Sequence, residues 1–236
     1  LPNRRGVGHV FSSRHSSEDA AHAELSAYVG PAINDLDVRK IPIRSGHRKI
    51  FWKNNCVAVG LSAGFLEPLE ASALVLVEMS ATMIAEQFPA FRGVMDVVGK
   101  RFNETFSYRW QRIIDFLKLH YMLTKRNDSQ FWIDNRDPDT IPESLKDLLL
   151  LWRYHSPYDH DFTSTNEVFP AASYQYVLYG MGFETNYSHT QQTLKSGKMA
   201  DEMFAKNKQM IAKTLDALPS NRDLINRIKE FGLQTI

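Results

Sequence analysis

Asn55 to Ser80, NCVAVGLSAGFLEPLEASALVLVEMS, is the stretch on which the reading of this chain turns. Asn55 to Gly60 is a short apolar run between polar and glycine residues, which predicts a buried strand of the parallel type. Leu69 to Phe88 has the length and composition of a helix. Its only charges are Glu70, Glu78 and Glu86, so it is expected to be buried on nearly every side. Between the two lies a loop with Gly60, Gly64 and Pro68. In α/β sheets ligands favour this junction, because a helix N-terminus offers free backbone N–H groups and roughly half a positive charge. The two glycines would let the backbone approach a flat ring, and Pro68 suits a first helical turn because it needs no amide donor. Glu70 is the odd residue. The helix dipole favours its charge and burial opposes it, and opposed pulls of that kind suit a residue that handles protons. Acidic residues are also common in first turns for structural reasons alone, and Glu67 reads as a solvated or capping carboxylate.

Outward from this segment the chain has two textures with a seam near Pro89. Before it, short strands are expected at Val7 to Phe11, Lys40 to Arg44 and Lys49 to Trp52. A helix from Glu18 to Tyr28 is expected behind the N-cap Ser17, stopped by Gly30 and Pro31. After the seam, Phe102, Phe106, Trp110, Ile114, Leu117 and Tyr121 recur in steps of three and four and define one face of a long helix. Pro142 opens a helix over residues 143–154. Tyr154 to Thr165 reads as a polar loop, and Pro170 to Tyr179 as an aromatic helix ended by Gly180 and Gly182. Residues 198–231 read as two amphipathic helices split at Pro219.

Composition narrows the class. The chain has 236 residues with 28 Lys+Arg, 27 Asp+Glu and a formal net charge of +1, so no strong field favours nucleic acid or an anionic membrane surface. The hydrophobic share of 43% is enough for a sizeable core. A single cysteine, Cys56, excludes an intrachain disulfide framework and a multi-cysteine zinc site, and suits the reducing cytoplasm. No apolar run reaches the length of a membrane span. The leading Leu1-Pro2-Asn3-Arg4-Arg5 has the texture of mid-protein sequence.

The segment WKNNCVAVGLSAGFLEPLEAS, Trp52 to Ser72, resembles the signature of flavin-dependent tryptophan halogenases, W-x-x-N-x-V-A-x-G-x-S-x-x-F-x-E-P-L-E-[SA]-[TS]. Three more stretches agree in the family's order: RRGVGHVFSS at Arg4 to Ser13, RKIPIRSGHRKIFW at Arg39 to Trp52, and RIIDFLKLHYMLTKRNDSQFW at Arg112 to Trp132. FPAASYQYVLYGMGF, Phe169 to Phe183, is similar to a degenerate version of the family's C-terminal aromatic helix.

The resemblance implies an α/β fold. Residues 1–88 would be the C-terminal part of a flavin-monooxygenase-like FAD module, and residues 89–236 a mainly helical substrate-side subdomain. It implies that reduced flavin, oxygen and chloride or bromide yield hypohalous acid, which halogenates an electron-rich aromatic ring such as tryptophan or another indole. Glu70 matches the catalytic glutamate. Ser72 and Ala73 match the residues whose backbone amides hold the halide, and Leu61 and Leu74 match flavin contacts. Ala71 and Ala73 depart from the small hydroxyl residue and the glycine usual at those positions. The resemblance further implies a separate flavin reductase and an aromatic substrate, and allows a homodimer. The family's G-x-G-x-x-G fingerprint, its essential lysine and its W-x-W-x-I-P motif have no counterpart here, so the chain is expected to be the C-terminal half of an enzyme, inactive by itself. A flavin-dependent aromatic monooxygenase and a non-catalytic helical interaction module are the alternatives.

Other candidates carry less. Gly6-Val7-Gly8 and Gly180-Met181-Gly182 lack a strand-loop-helix context and read as turns. His155, His160, Asp159 and Asp161 could gather at a metal, but their spacing fits no firm ligand pattern, and no metal site is expected. His120-Tyr121 reads as a packed or capping pair. Tyr174, Tyr176, Tyr179 and Phe183 could line an aromatic pocket, with core packing favoured.

Overall fold

The computed structural model describes residues 5–164, 166–188 and 197–233. It divides into two compact units, residues 11–186 and the two ends, 1–10 with 187–236.

In the larger unit, Ser17 caps helix α1 (Glu18–Val29) by accepting a hydrogen bond from the Ala20 amide at 3.1 Å, and Gly30 ends it at φ 78°. Two small antiparallel pairs follow. Strand β1 (Gly46–His47) pairs with β4 (Gly64–Phe65), and β2 (Trp52–Lys53) pairs with β3 (Cys56–Val57). The β2–β3 loop is only Asn54-Asn55, with Asn54 at φ 55°, a conformation asparagine tolerates better than most residues. The expected parallel strand over residues 55–60 is therefore an arm of a hairpin. Cys56 is exposed, and Val57 to Gly60 are half-buried. Lys40 to Arg44 forms no strand either: Pro42 removes a ladder donor, and Ile41 and Ile43 stand exposed. The stretch from Val7 to Phe11 is likewise irregular.

Gly64 owes its place to the β1–β4 approach rather than to a ligand. A Cβ there would stand 2.7 Å from the Gly46 carbonyl and the His47 Cα. Helix α2 (Ser72–Glu86) starts three residues later than expected and buries only Ser72, Leu76 and Ser80. Leu74, Val75 and Val77 remain exposed, so the helix is not buried all round as its composition predicts.

The scaffold is helix α3 (Met95–Met122), which buries Phe102, Phe106, Trp110 and Leu117 of the expected face and leaves Ile114 and Tyr121 half-buried. One set of its residues, Phe102, Phe106, Trp110, Ile113 and Leu117, joins a cluster with Phe51, Trp52, Ala63 and Leu76. Asn103 ties it to β2: its Oδ1 accepts from the Phe51 and Trp52 amides at 2.8 Å each, and its Nδ2 donates to the Trp52 carbonyl at 2.9 Å. One side chain thus does for the edge of β2 what a neighbouring strand would do. Helix α4 (Gln130–Asp134) follows. The second half of α3 packs Phe116 and Leu119 against Leu145, Leu148 and Trp152 of α5 (Glu143–Trp152) and against Tyr174 and Leu178 of α6 (Ala171–Gly180). The smaller unit contributes α7 (Gly197–Ala217) and α8 (Asn221–Phe231), which confirm the two helices expected around Pro219; the Ser220 hydroxyl accepts from the Asp223 amide at the start of α8.

Candidate active site at the E-P-L-E loop

The E-P-L-E segment, Glu67 to Glu70, is a tight turn placed before α2. The Ala71 amide donates to the Pro68 carbonyl at 3.3 Å, and Ala71 itself sits at φ 51°, ψ 29°. A left-handed conformation at a residue with a Cβ costs about 1–2 kcal/mol, and such strain persists where the surroundings hold it in place. Here it turns the chain sharply between Glu70 and the helix. Glu70 accordingly lies before the helix and not within its first turn, with a side chain 34% exposed rather than desolvated.

Both carboxylates of the turn meet the C-terminal end of α3. Glu70 Oε1 lies 2.8 Å from His120 Nε2. Glu67 interacts with the hydroxyl of the next residue, Tyr121; burial first and that carboxylate second push the phenol up to about 12. The adjacent pair His120-Tyr121 therefore anchors the two glutamates. His120 is fixed in turn: its Nδ1 lies 2.8 Å from the Phe116 carbonyl, and its ring meets the Phe116 ring edge-on at 4.9 Å. The pair was expected only to pack or cap. The overlooked signal is its position at the end of the long apolar face, where a helix C-terminus favours a cation.

The first turn of α2 has no side-chain cap and no acidic residue. The amides of Ser72 and Ala73 thus belong to the group that a helix leaves without intrahelical partners. Leu61 and Leu74 are 80% and 81% exposed. Leu61 lies in the single turn Gly60–Ser62, where Gly60 takes φ 62° and its Cβ position is 3.4 Å from Val77 of α2. This turn and α2 form an apolar shelf beside the uncapped helix start. A surface hollow of about 300 Å³ lined by Trp52, Asn54, Met95, Asp96, Gly99, Lys100, Asn103 and Glu104 contains none of these residues.

A polar network that sequence reasoning missed lies deeper on α3. Asp115 is fully buried; it pairs with Arg112 and accepts from Ser144 Oγ at 2.8 Å and Gln111 Nε2 at 3.0 Å. Burial raises its carboxyl above the usual range, with Arg112, Ser144 and Gln111 pulling the other way. Nearby, Tyr108 donates to Glu167, and burial raises both groups. An aspartate three residues after an arginine, inside an apolar helical face, was the available signal.

The remaining candidates separate. Tyr174 is in the core and Phe183 packs on it, whereas Tyr176 is 84% exposed, so the four aromatics line no common pocket. Asp161 accepts from Trp152 Nε1 and the Tyr158 amide, at 2.8 and 2.9 Å, and His155 stacks on Tyr158. Those contacts hold a loop together. Among the described residues no three His, Cys, Asp or Glu side chains are grouped to hold a metal ion, and no helix is long and apolar enough to cross a membrane.

Comparison with known proteins gives the family of the chain. The family model described as tryptophan halogenase matches residues 1–196. The 7-chloro-L-tryptophan 6-halogenase KtzR of Kutzneria sp. is 29% identical over 97% of this chain and 44% of its own length. The crystal structure of a tryptophan halogenase from Shewanella frigidimarina superposes with a TM-score of 0.88 at 41% identity, covering 96% of this chain and 43% of that one. Tar14, a flavin-dependent tryptophan C-6 halogenase from taromycin biosynthesis, gives 0.85 at 29% identity over 93% and 44%. The chain thus spans less than half the length of these relatives. With a family model matched over most of its residues, and with the fold of the corresponding part of solved halogenases, the chain belongs to the tryptophan halogenase family.

Proposed function

We propose that this chain supplies the substrate-side part and the active-site glutamate of a flavin-dependent halogenase acting on tryptophan or another electron-rich indole. Residues 1–88 complete the FAD module, and residues 89–236 form the substrate side. The observation that carries this reading is Glu70 held on α3 beside the uncapped start of α2.

The shelf suits a flat, partly apolar cofactor: Leu61 and Leu74 are exposed, and the start of α2 has free amides that favour an anion. When bound, reduced flavin with oxygen supplies the oxidising equivalents that turn halide into a halogenating species. The chain's own work is narrower. Ser72 and Ala73 offer backbone amides to chloride or bromide, and the methyl of Ala73 leaves those donors unchanged. The Glu70 carboxylate takes the proton that the ring carbon loses when halogen replaces hydrogen and aromaticity returns. A reductase working elsewhere in the cell, in the cytoplasm on this reading, supplies the reduced flavin.

The test uses a protein that contains this chain and spans the relatives' whole length, given reduced FAD, oxygen, bromide or chloride, and tryptophan or indole. Mass spectrometry should show a product with the isotope pattern of the halogen. Hydroxylated product alone, or none across a panel of indoles, would contradict the proposal.

A further inference from the structure

His120 has a geometry that its packing does not require. Its Nδ1 lies 2.8 Å from the Phe116 carbonyl, which can only accept, so Nδ1 carries a hydrogen. Nε2, the other ring nitrogen, lies 2.8 Å from Glu70 Oε1. That distance is an ion-pair approach between imidazole and carboxylate. The ring is thus anchored at one nitrogen by the helix backbone and directed at the glutamate with the other. It occupies the last turn of α3, where the helix dipole favours positive charge.

We infer that His120 is the positioning residue of the site: its Nε2, 2.8 Å from Glu70 Oε1, holds that oxygen and leaves Oε2 as the oxygen that meets the substrate. The inference rests on the halogenase reading of Glu70. A carboxylate on an exposed turn otherwise rotates freely about its side-chain torsions. Anchoring one oxygen to a 28-residue helix fixes where the other points. Displacement of a reacting group by about 1 Å costs on the order of a hundredfold in rate. Tyr121, the next residue on the helix, meets Glu67 of the same turn.

The experiment compares His120→Leu, which keeps an apolar group against Phe116 but removes the donor, with His120→Gln, which returns an N–H at similar reach. Both are made in the protein of full family length, with folding checked by thermal unfolding. The expected result is a kcat for His120→Leu lower by about tenfold to a hundredfold, a KM for the aromatic substrate within about twofold, and most of the rate recovered in His120→Gln. Full activity in His120→Leu, or equal losses in both variants, would overturn the inference. A wild-type protein that forms no halogenated product would defeat the functional reading; the hold of His120 on the turn is read separately, by a measurement that stands apart from activity. In the present chain, the amide NMR signals of residues 69–72 should shift in His120→Leu and stay near wild type in His120→Gln; unchanged signals in His120→Leu would overturn the positioning role.

Discussion

Helices α2 and α3 reverse the expectation that the more apolar helix is the more buried. Residues 72–86 carry only Glu78 and Glu86 as charges, yet only Ser72, Leu76 and Ser80 are buried and Leu74, Val75 and Val77 face outward. Residues 95–122 hold several charged side chains and still bury ten positions, Arg112 and Asp115 among them. Burial follows from what lies opposite a face. Helix α3 has β2, α5 and α6 around it and pairs its buried Asp115 with Arg112, Gln111 and Ser144, while α2 meets the chain along a single stripe. The open side of α2 is also the side that carries Leu74, at the uncapped helix start.

The comparison can be broken most severely at Asp115. Asp115→Ala leaves the Arg112 guanidinium buried without its partner and should cost about 3–5 kcal/mol in urea unfolding. A loss below about 1 kcal/mol would mean that the network is dispensable. The next test sets the two helices against each other. Leu119→Ala, at a fully buried α3 position, should destabilise by about 2–5 kcal/mol, whereas Leu74→Ser on α2 should stay within about 0.5 kcal/mol in this chain. Comparable losses at both sites would remove the contrast.

A smaller effect concerns the anchor between the turn and α3. Tyr121 titrates at about 12 in the folded protein against an ordinary 10.0. Because the folded value is the higher, the unfolded chain gives up this proton first. The stabilisation is complete below pH 10 and is lost as pH rises toward 12. The stability difference between wild type and Tyr121→Phe should therefore change across that interval and stay flat below it. A difference independent of pH would show that the phenol is not held by burial and Glu67.

The helices were legible in the sequence because their signals are local: a period of three and four residues over Phe102 to Tyr121, Ser17 before an acidic first turn, Pro142 and Pro219 at boundaries. The strands were not. Asn55 to Gly60 reads as a parallel strand by apolar content, but Asn54-Asn55 is a two-residue hairpin loop, and its turn chemistry outweighed composition. Gly64 carried a ligand reading, although it is required by contact with β1 across a gap in sequence. The site showed the same division. Glu70, Ser72 and Ala73 could be picked out from one segment. Their support by His120 and Tyr121 could not, because it depends on the end of α3 coming back to the turn fifty residues later.

The central claim is that Glu70, as held by this scaffold, handles the proton of an aromatic halogenation. The most direct measurement is the rate of halogenated indole formation by Glu70→Gln in the protein of full family length, with flavin binding followed by fluorescence. The account predicts intact flavin binding and a rate lower by about a hundredfold or more. Turnover equal to wild type would contradict it.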